Sequence, residues 1–248
     1  MFKTRAKAAV FLLSGAMLLG CASTPPYQGM GADELFELGS AKFQEEDWDE
    51  AVDVFERVIT TDPTFDRLVE TRMYLARAYY NRGDYITATA EFERVMDRHP
   101  GHELAPEASL GICQSFVAQS PHVQRDQDPT RQAWTACQNT VADFSGREVA
   151  AEATRLRDQM YEKLARKEYE VGHYYLRRKL YQPAIQYFSF QLDLYPDTDW
   201  DDDSLLGLYK AYVAIQWERE AEEVRDRICR DFQDSEAATE VGCPSEVQ

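Results

Sequence analysis

The sequence predicts an all-α solenoid of about five helix pairs, with one long helix linking units three and four. Two features carry that prediction: an internal repeat, and a helical spacing of apolar residues that breaks at proline and glycine. The segments WDEAVDVF (48–55), YITATAEF (85–92) and YQPAIQYF (181–188) share one pattern. Each sets an alanine three residues after an aromatic, and a phenylalanine four after that. Eight residues further on stands a proline, at Pro63, Pro100 and Pro196. Ala51 and Ala88 lie 37 apart, and so do Ala184 and Ala221.

Upstream of these copies lie Gly39 with Phe43, Ala76 with Tyr79 and Tyr80, and Gly172 with Tyr174 and Tyr175. A small residue lets two helix backbones approach, the aromatics fill the wedge between them, and proline stops the second helix. The layout resembles the tetratricopeptide repeat, a helix–turn–helix unit of about 34 residues. Units are expected near 33–65, 67–101, 102–146, 148–197 and 200–234. The third is degenerate, with Gly111 on its first helix and Ala133 opening its second; the fifth, from Leu205 through Ala221 to Phe232, is weaker. Within the third unit QSPHVQRDQDPT (119–130) reads as a loop insertion. From Glu148 to Arg178 there is no proline and one glycine, and Val149, Ala153, Leu156, Met160, Leu164, Val171 and Tyr175 mark one face. That stretch predicts one helix about 46 Å long. Residues 237–248 read as a C-terminal tail.

The start of the chain has a different character. Lys3, Arg5 and Lys7 precede an apolar run from Ala8 to Leu19, broken by Ser14 and Gly15. About 20 apolar residues are needed to span a bilayer, so the run fits a cleaved signal better than an anchor. Leu18-Leu19-Gly20-Cys21 resembles the lipobox of bacterial lipoproteins, which implies cleavage after residue 20 and a lipid on Cys21. Ala22, rather than aspartate, follows it; the resemblance then implies sorting to the outer membrane, on its periplasmic face. Residues 21–32 form the lipidated cysteine and a flexible tether, reaching at most about 36–40 Å.

Formal net charge is −17, and removing the three leader cations takes it to −20. So acidic a chain lacks the basic charge that releases counterions from nucleic acid, and no nucleic-acid partner is expected. Apolar residues at 44% supply a core, so the acidity belongs to a solvated surface. Four cysteines remain after Cys21: Cys113, Cys137, Cys229 and Cys243. Three pairings are possible in an oxidising compartment. Cys113 and Cys137 fall at matching depths on the two helices of one unit, which would leave Cys229 with Cys243. The alternative is two buried free thiols and two exposed ones.

Catalytic motifs are missing from the sequence: there is no G-x-S-x-G, Walker loop, G-x-G-x-x-G or H-E-x-x-H. His99-Pro100-Gly101-His102 reads as a turn rather than half a metal site. The run Asp197 to Asp203 begins like a calcium loop, but Asp202 and Leu208 stand where glycine and glutamate belong. Those aspartates are expected to cap a helix starting near Ser204. No enzyme, metal or cofactor is expected.

A more specific likeness lies in Arg125-Asp126-Gln127-Asp128-Pro129-Thr130, then Leu164-Ala165, Glu168, Val171, Tyr174-Tyr175, Arg178, Tyr181, Ala184 and Tyr195-Pro196-Asp197-Thr198. With the lipobox and the long helix, these residues resemble the BamD family, tetratricopeptide lipoproteins of the outer-membrane β-barrel assembly (BAM) machinery. The likeness runs from Cys21 to about Phe232. It implies a non-enzymatic scaffold that docks on a POTRA domain of the barrel-forming subunit BamA, alongside other BAM lipoproteins, and meets unfolded outer-membrane proteins. Family members often carry Asn-Arg where this chain has Gln186-Tyr187, so docking is expected on Arg177, Arg178, Tyr181 and Tyr187. An adaptor lipoprotein recruiting periplasmic cell-wall enzymes is the alternative.

A client segment with a terminal aromatic needs an apolar pocket and a cation for its carboxylate. First helices line the concave face of such solenoids, which points to Phe36, Ser40, Phe43, Met73, Arg77, Tyr80 and Asn81. The other reading of these aromatics is seam packing between units. At the anchor, Cys21→Ser is expected to abolish incorporation of an alkyne fatty acid, because the thiol is the acceptor. Equal labelling of wild type and variant would show that Cys21 carries no lipid.

Overall fold

The computed structural model describes residues 27–244, so the leader, Cys21 and the start of the tether lie outside the described residues. Ten helices form five antiparallel pairs: α1 (Ala32–Gln44) with α2 (Trp48–Thr61), α3 (Leu68–Arg82) with α4 (Tyr85–Arg98), and α5 (Ala105–Gln119) with α6 (Asp128–Asp143). They continue with α7 (Glu148–Arg177) beside α8 (Tyr181–Leu194), then α9 (Asp201–Ala214) with α10 (Glu218–Asp231), and a short α11 (Glu236–Val241). Consecutive helices pack on one another throughout. Pro63, Pro100 and Pro196 each stand two residues beyond a helix end, where the missing N–H costs nothing. Pro183 lies in the first turn of α8, whose N–H groups have no partner inside the helix.

The repeat pattern is explained by one contact. The rings of Phe55, Phe92 and Phe188 are buried and press on glycine backbones. A Cβ on Gly39 would lie 2.8 Å from the Phe55 ring, and one on Gly111 2.5 Å from Phe92. Phe188 is gripped from two sides, with Gly172 of α7 and Gly207 of α9 leaving 2.8 and 2.3 Å. The phenylalanine therefore joins its helix both to its own pair and to the next.

The third unit departs from this device. Four residues after Ala133, where phenylalanine follows Ala51, Ala88 and Ala184, stands Cys137. It is bridged to Cys113 of α5, Cα to Cα 4.6 Å, and both are fully buried with Ala153 and Leu156 of α7. A covalent bond occupies the place of the ring. The chain-entropy model gives a bridge of this span roughly 3–4 kcal/mol.

α7 is the spine of the middle. Ala153 and Leu156 pack against α5 and α6, while Gly172 packs against Phe188 of α8. One continuous helix thus belongs to two cores.

The reading of 237–248 as a tail is corrected. Ala237, Ala238 and Val241 of α11 are buried in the core formed by Leu205, Leu208 and Ile228. Ser235 caps this helix by accepting the Ala238 N–H at 3.1 Å, and Cys229 is bridged to Cys243 with Cα atoms 5.4 Å apart. Six residues are too few for apolar periodicity to reveal a helix.

Gly207→Ala is expected to destabilise by about 1–3 kcal/mol in urea, because Phe188 has no free side toward which to retreat. Phe188→Ala should cost about 3–5 kcal/mol. Combining Gly207→Ala with Phe188→Leu should cost less than the two separately, since the smaller side chain vacates the clash. Unchanged unfolding of Gly207→Ala would show that the ring is not pinned.

Candidate functional site

Two surfaces gather most of the residues expected to bind. The first lies where α1, α3 and α5 meet. A cleft of about 410 Å³ is lined by Phe43, Arg77, Tyr80 and Asn81, with Glu107, Leu110 and Gln114 of α5 on the other wall. Phe36 and Met73 do not line it. Each is 1% exposed, and Phe36 sits among Phe55, Phe65 and Tyr74 at ring distances of 5.9, 6.1 and 5.8 Å. Both are buried, so neither presents a surface to the cleft. Spacing of three and four identifies a stripe on a helix; it does not say which neighbour covers it. The hydroxyl of Ser40 is buried without a hydrogen-bond partner among the described residues. Phe43 is half-buried, edge-on to Trp48 at 5.1 Å and to Tyr74 at 5.2 Å.

Arg77 already has an anion beside it. Its guanidinium is ion-paired with Glu107, both side chains about half exposed. Glu107 was not foreseen, because it belongs to the next unit, 30 residues on. An incoming carboxylate must displace it or share the arginine.

The second surface is at the end of α7 and along α8. Tyr174, Tyr175, Tyr187 and Phe190 form a ladder with successive ring separations of 5.4, 5.5 and 6.2 Å. The Tyr175–Tyr187 step is stacked. Arg178 lies over Tyr174, 4.1 Å from its centroid, a cation–π contact. Arg177 lines an adjoining hollow with Lys167 and His173. Arg177, Arg178 and Lys179 make no ion pair among the described residues, and all are exposed. Leu194 stands one turn beyond Phe190, the two 60% and 41% exposed, so an apolar stripe is left open. Tyr181 opens α8, half-buried, and joins no ring contact among the described residues. Phe190 and Leu194 were legible: they stand three and seven residues after Tyr187, a second stripe on a helix that needs one for its core.

The most specific sequence motifs have structural work. Gln127 is 3% exposed and plugs its own loop. Its Nε2 donates to the carbonyls of His122 and Arg125, both at 3.0 Å, and its Oε1 accepts the Thr130 hydroxyl at 2.6 Å. In the Tyr-Pro-Asp-Thr turn, buried Gln191 donates to Thr198 at 3.0 Å and to Asp201 at 2.8 Å, and Asp201 also accepts the Asp197 N–H at 2.9 Å. The aspartates therefore begin α9 at Asp201 rather than near Ser204, and Asp201 ties a loop to α8 instead of capping. His102 Nδ1 accepts the Leu104 N–H at 3.2 Å, so the His-Pro-Gly-His stretch is a turn. Among the described residues no cluster of His, Cys, Asp and Glu could hold a metal, and no helix is long and apolar enough to cross a membrane.

With this geometry in hand, the relatives become informative. The model of the YfiO family, described as outer membrane lipoprotein, matches residues 28–227. The chain belongs to the YfiO family. The outer membrane protein assembly factor BamD of Caulobacter vibrioides is 27% identical over 215 residues, spanning 85% of this chain and 70% of that protein. BamD of Neisseria gonorrhoeae is 24% identical over 230 residues, spanning 89% and 86%. Among solved structures, the TPR2AB domain of yeast Sti1 covers 84% of this chain and 80% of its own at 12% identity, with a TM-score of 0.47. The match ending at 227 stops inside α10, so α11 and the Cys229–Cys243 bridge fall beyond the matched part of this YfiO-family chain.

Gln127→Ala should leave the carbonyls of His122 and Arg125 and the Thr130 hydroxyl without that partner, costing about 1–3 kcal/mol. Limited proteolysis between 119 and 130 is the direct readout. Resistance equal to wild type would mean the loop is held by something else.

Proposed function

We propose that this protein is a lipid-anchored scaffold on the periplasmic face of the outer membrane that assists the folding and insertion of outer-membrane β-barrel proteins. The observation that carries the reading is the family match across the solenoid, joined to relatives named as outer membrane protein assembly factors. The leader, cut after residue 20, and acylated Cys21 supply the anchor; several acyl chains are enough for stable attachment. In this reading the solenoid's part is to supply binding surfaces.

In this reading the aromatic ladder docks the POTRA domain of the barrel-forming subunit, BamA. Binding hot spots are aromatic and arginine residues at the centre of a patch, and Tyr187, Phe190 and Arg178 have that composition. Unpaired cations at its rim steer an acidic partner surface and hold off this chain's own acidic faces. The cleft at Phe43, Arg77, Tyr80 and Asn81 takes the client's terminal segment, its carboxylate competing with Glu107 for Arg77. Other lipoproteins of the assembly machinery have the remaining faces.

Depleting the protein should remove porins from the outer membrane while lipoproteins persist; loss of cell-wall enzyme recruitment with porins intact would favour the adaptor reading instead. At the ladder, Tyr187→Ala or Phe190→Ala should weaken POTRA binding by a factor on the order of thirty, the equivalent of about 2 kcal/mol. At the cleft, Arg77→Glu should weaken a C-terminal porin peptide at least tenfold with little change in melting temperature. Glu107→Gln should tighten that peptide. Indifference of the peptide to both substitutions would remove the cleft from the proposal.

A further inference from the structure

The insertion loop of the third unit and the turn between α8 and α9 are far apart in sequence, yet they rim one cleft on α7, of about 370 Å³. His122 comes from the first rim, Asp199 and Trp200 from the second, and Glu162, Lys163 and Arg166 from the helix between. Both rims are held from beneath, one by Gln127 and the other by Gln191 with Asp201. A cleft with fixed walls loses little entropy when it is filled.

Its floor holds a cation without a counter-ion. Lys163 is half-buried, and its ammonium donates to the Ser120 hydroxyl at 2.8 Å and the Ser120 carbonyl at 3.4 Å. Among the described residues no carboxylate pairs with it. Burial lowers its pKa, the mark of a charge that neutral acceptors do not fully stabilise. Arg166, one turn away, is occupied: it pairs with Glu170 at 2.8 Å and lies 5.5 Å from the Trp200 ring centroid. Trp200 in turn packs on Tyr169 at 5.1 Å, which makes it a rigid aromatic wall. His122 Nδ1 accepts the Gln124 N–H at 3.4 Å, which leaves Nε2 as the donor. Glu162, also lining the cleft, accepts the Asp199 N–H at 3.2 Å.

We propose that this cleft binds an extended acidic peptide segment, its carboxylate on Lys163, an adjacent aromatic side chain along Trp200, and a backbone N–H toward Glu162. The mixed lining selects among anions. A phosphate group or an anionic bilayer surface would bring two or more negative charges to a cleft that holds Glu162 and Asp199, on a chain of net charge −17. A peptide carboxylate carries one charge and is flanked by amide donors, so it meets the ammonium and the acceptors together. The site is separate from both the Arg77 cleft and the aromatic ladder, and stands whether or not those are used.

The test uses the detergent-solubilised protein and two fluorescein-labelled decapeptides that differ in a central Asp-Phe or Asn-Phe pair, read by anisotropy. The Asp-Phe peptide should bind at least tenfold tighter than its Asn-Phe twin. Lys163→Gln should erase that difference, Lys163→Arg should retain it, and Trp200→Ala should weaken both peptides. Equal binding of the two peptides by the wild type overturns the proposal without recourse to any variant. So does loss of binding in Arg77→Glu with Lys163→Gln unaffected, which would move the peptide to the other cleft. Competition by millimolar inorganic phosphate as effective as unlabelled peptide would reduce the site to a simple anion contact, and equally overturn it.

Discussion

The close approach of a phenylalanine ring to a glycine backbone is the contact on which the rest of this solenoid depends. With no Cβ on Gly172 or Gly207, helices α7 and α9 both come near enough to touch Phe188 of α8. The same contact recurs at Gly39 with Phe55 and at Gly111 with Phe92. Because Phe92 reaches Gly111 of the next unit, the ring bears on the offset between units as well as the spacing within one. Where the register passes through Ala133, Cys137 replaces the ring and a bridge to Cys113 replaces the packing. In the last pair the corresponding residue is Arg225, and the element that follows among the described residues is the short α11. There α11 covers the core, held by the Cys229–Cys243 bridge.

The residues that carry the family likeness are distinct from those proposed to bind. Gln127 and the Tyr-Pro-Asp-Thr turn carry the sharpest sequence likeness, and both are internal ties. A side-chain amide that satisfies several carbonyls at once has no substitute of the same shape and donor count, which makes such a position recognisable. In the proposed reading their contribution to binding is indirect. They fix the two rims that flank α7, and so decide where His122 and Trp200 stand.

How far the sequence could be read followed from what each pattern measures. Repeat spacing measures the register of ring against glycine, so the pairing of helices and the span of α7 were legible. Helical periodicity measures which face is apolar, and it located the stripe of Phe36, Ser40 and Phe43. It could not tell that Tyr74 and Phe65 would close over Phe36 and leave Phe43 at a cleft edge. Glu107 lay out of reach for a similar reason: an ion pair across 30 residues depends on how two units stack, and nothing local to Arg77 announces it. The aromatic ladder was partly legible. Tyr187 was singled out as a departure from a family arginine and Tyr175 as part of the apolar face of α7, while Phe190, which Tyr187 abuts, was not singled out.

The charge distribution links the fold to its use. An acidic solenoid repels its own acidic surfaces and other acidic partners unless cations are placed locally. Most arginines here are tied to carboxylates on their own or a neighbouring helix, as Arg72 is to Glu91 inside the second unit and Arg155 to Glu152 along α7. The turn after α7 is different: Arg177, Arg178 and Lys179 follow one another at a helix C-terminus, where the dipole favours them, and Arg178 lies over the face of Tyr174. Cations stabilised by a helix end and a ring need no internal carboxylate and remain available to a partner. With exposed Phe190 and Leu194 on α8 of the same unit, electrostatic steering and an apolar stripe are combined in the fourth unit. The long helix makes that edge possible. By running through two cores without a break, α7 carries its last turn out to the surface while its first turns remain bound to the bridged third unit.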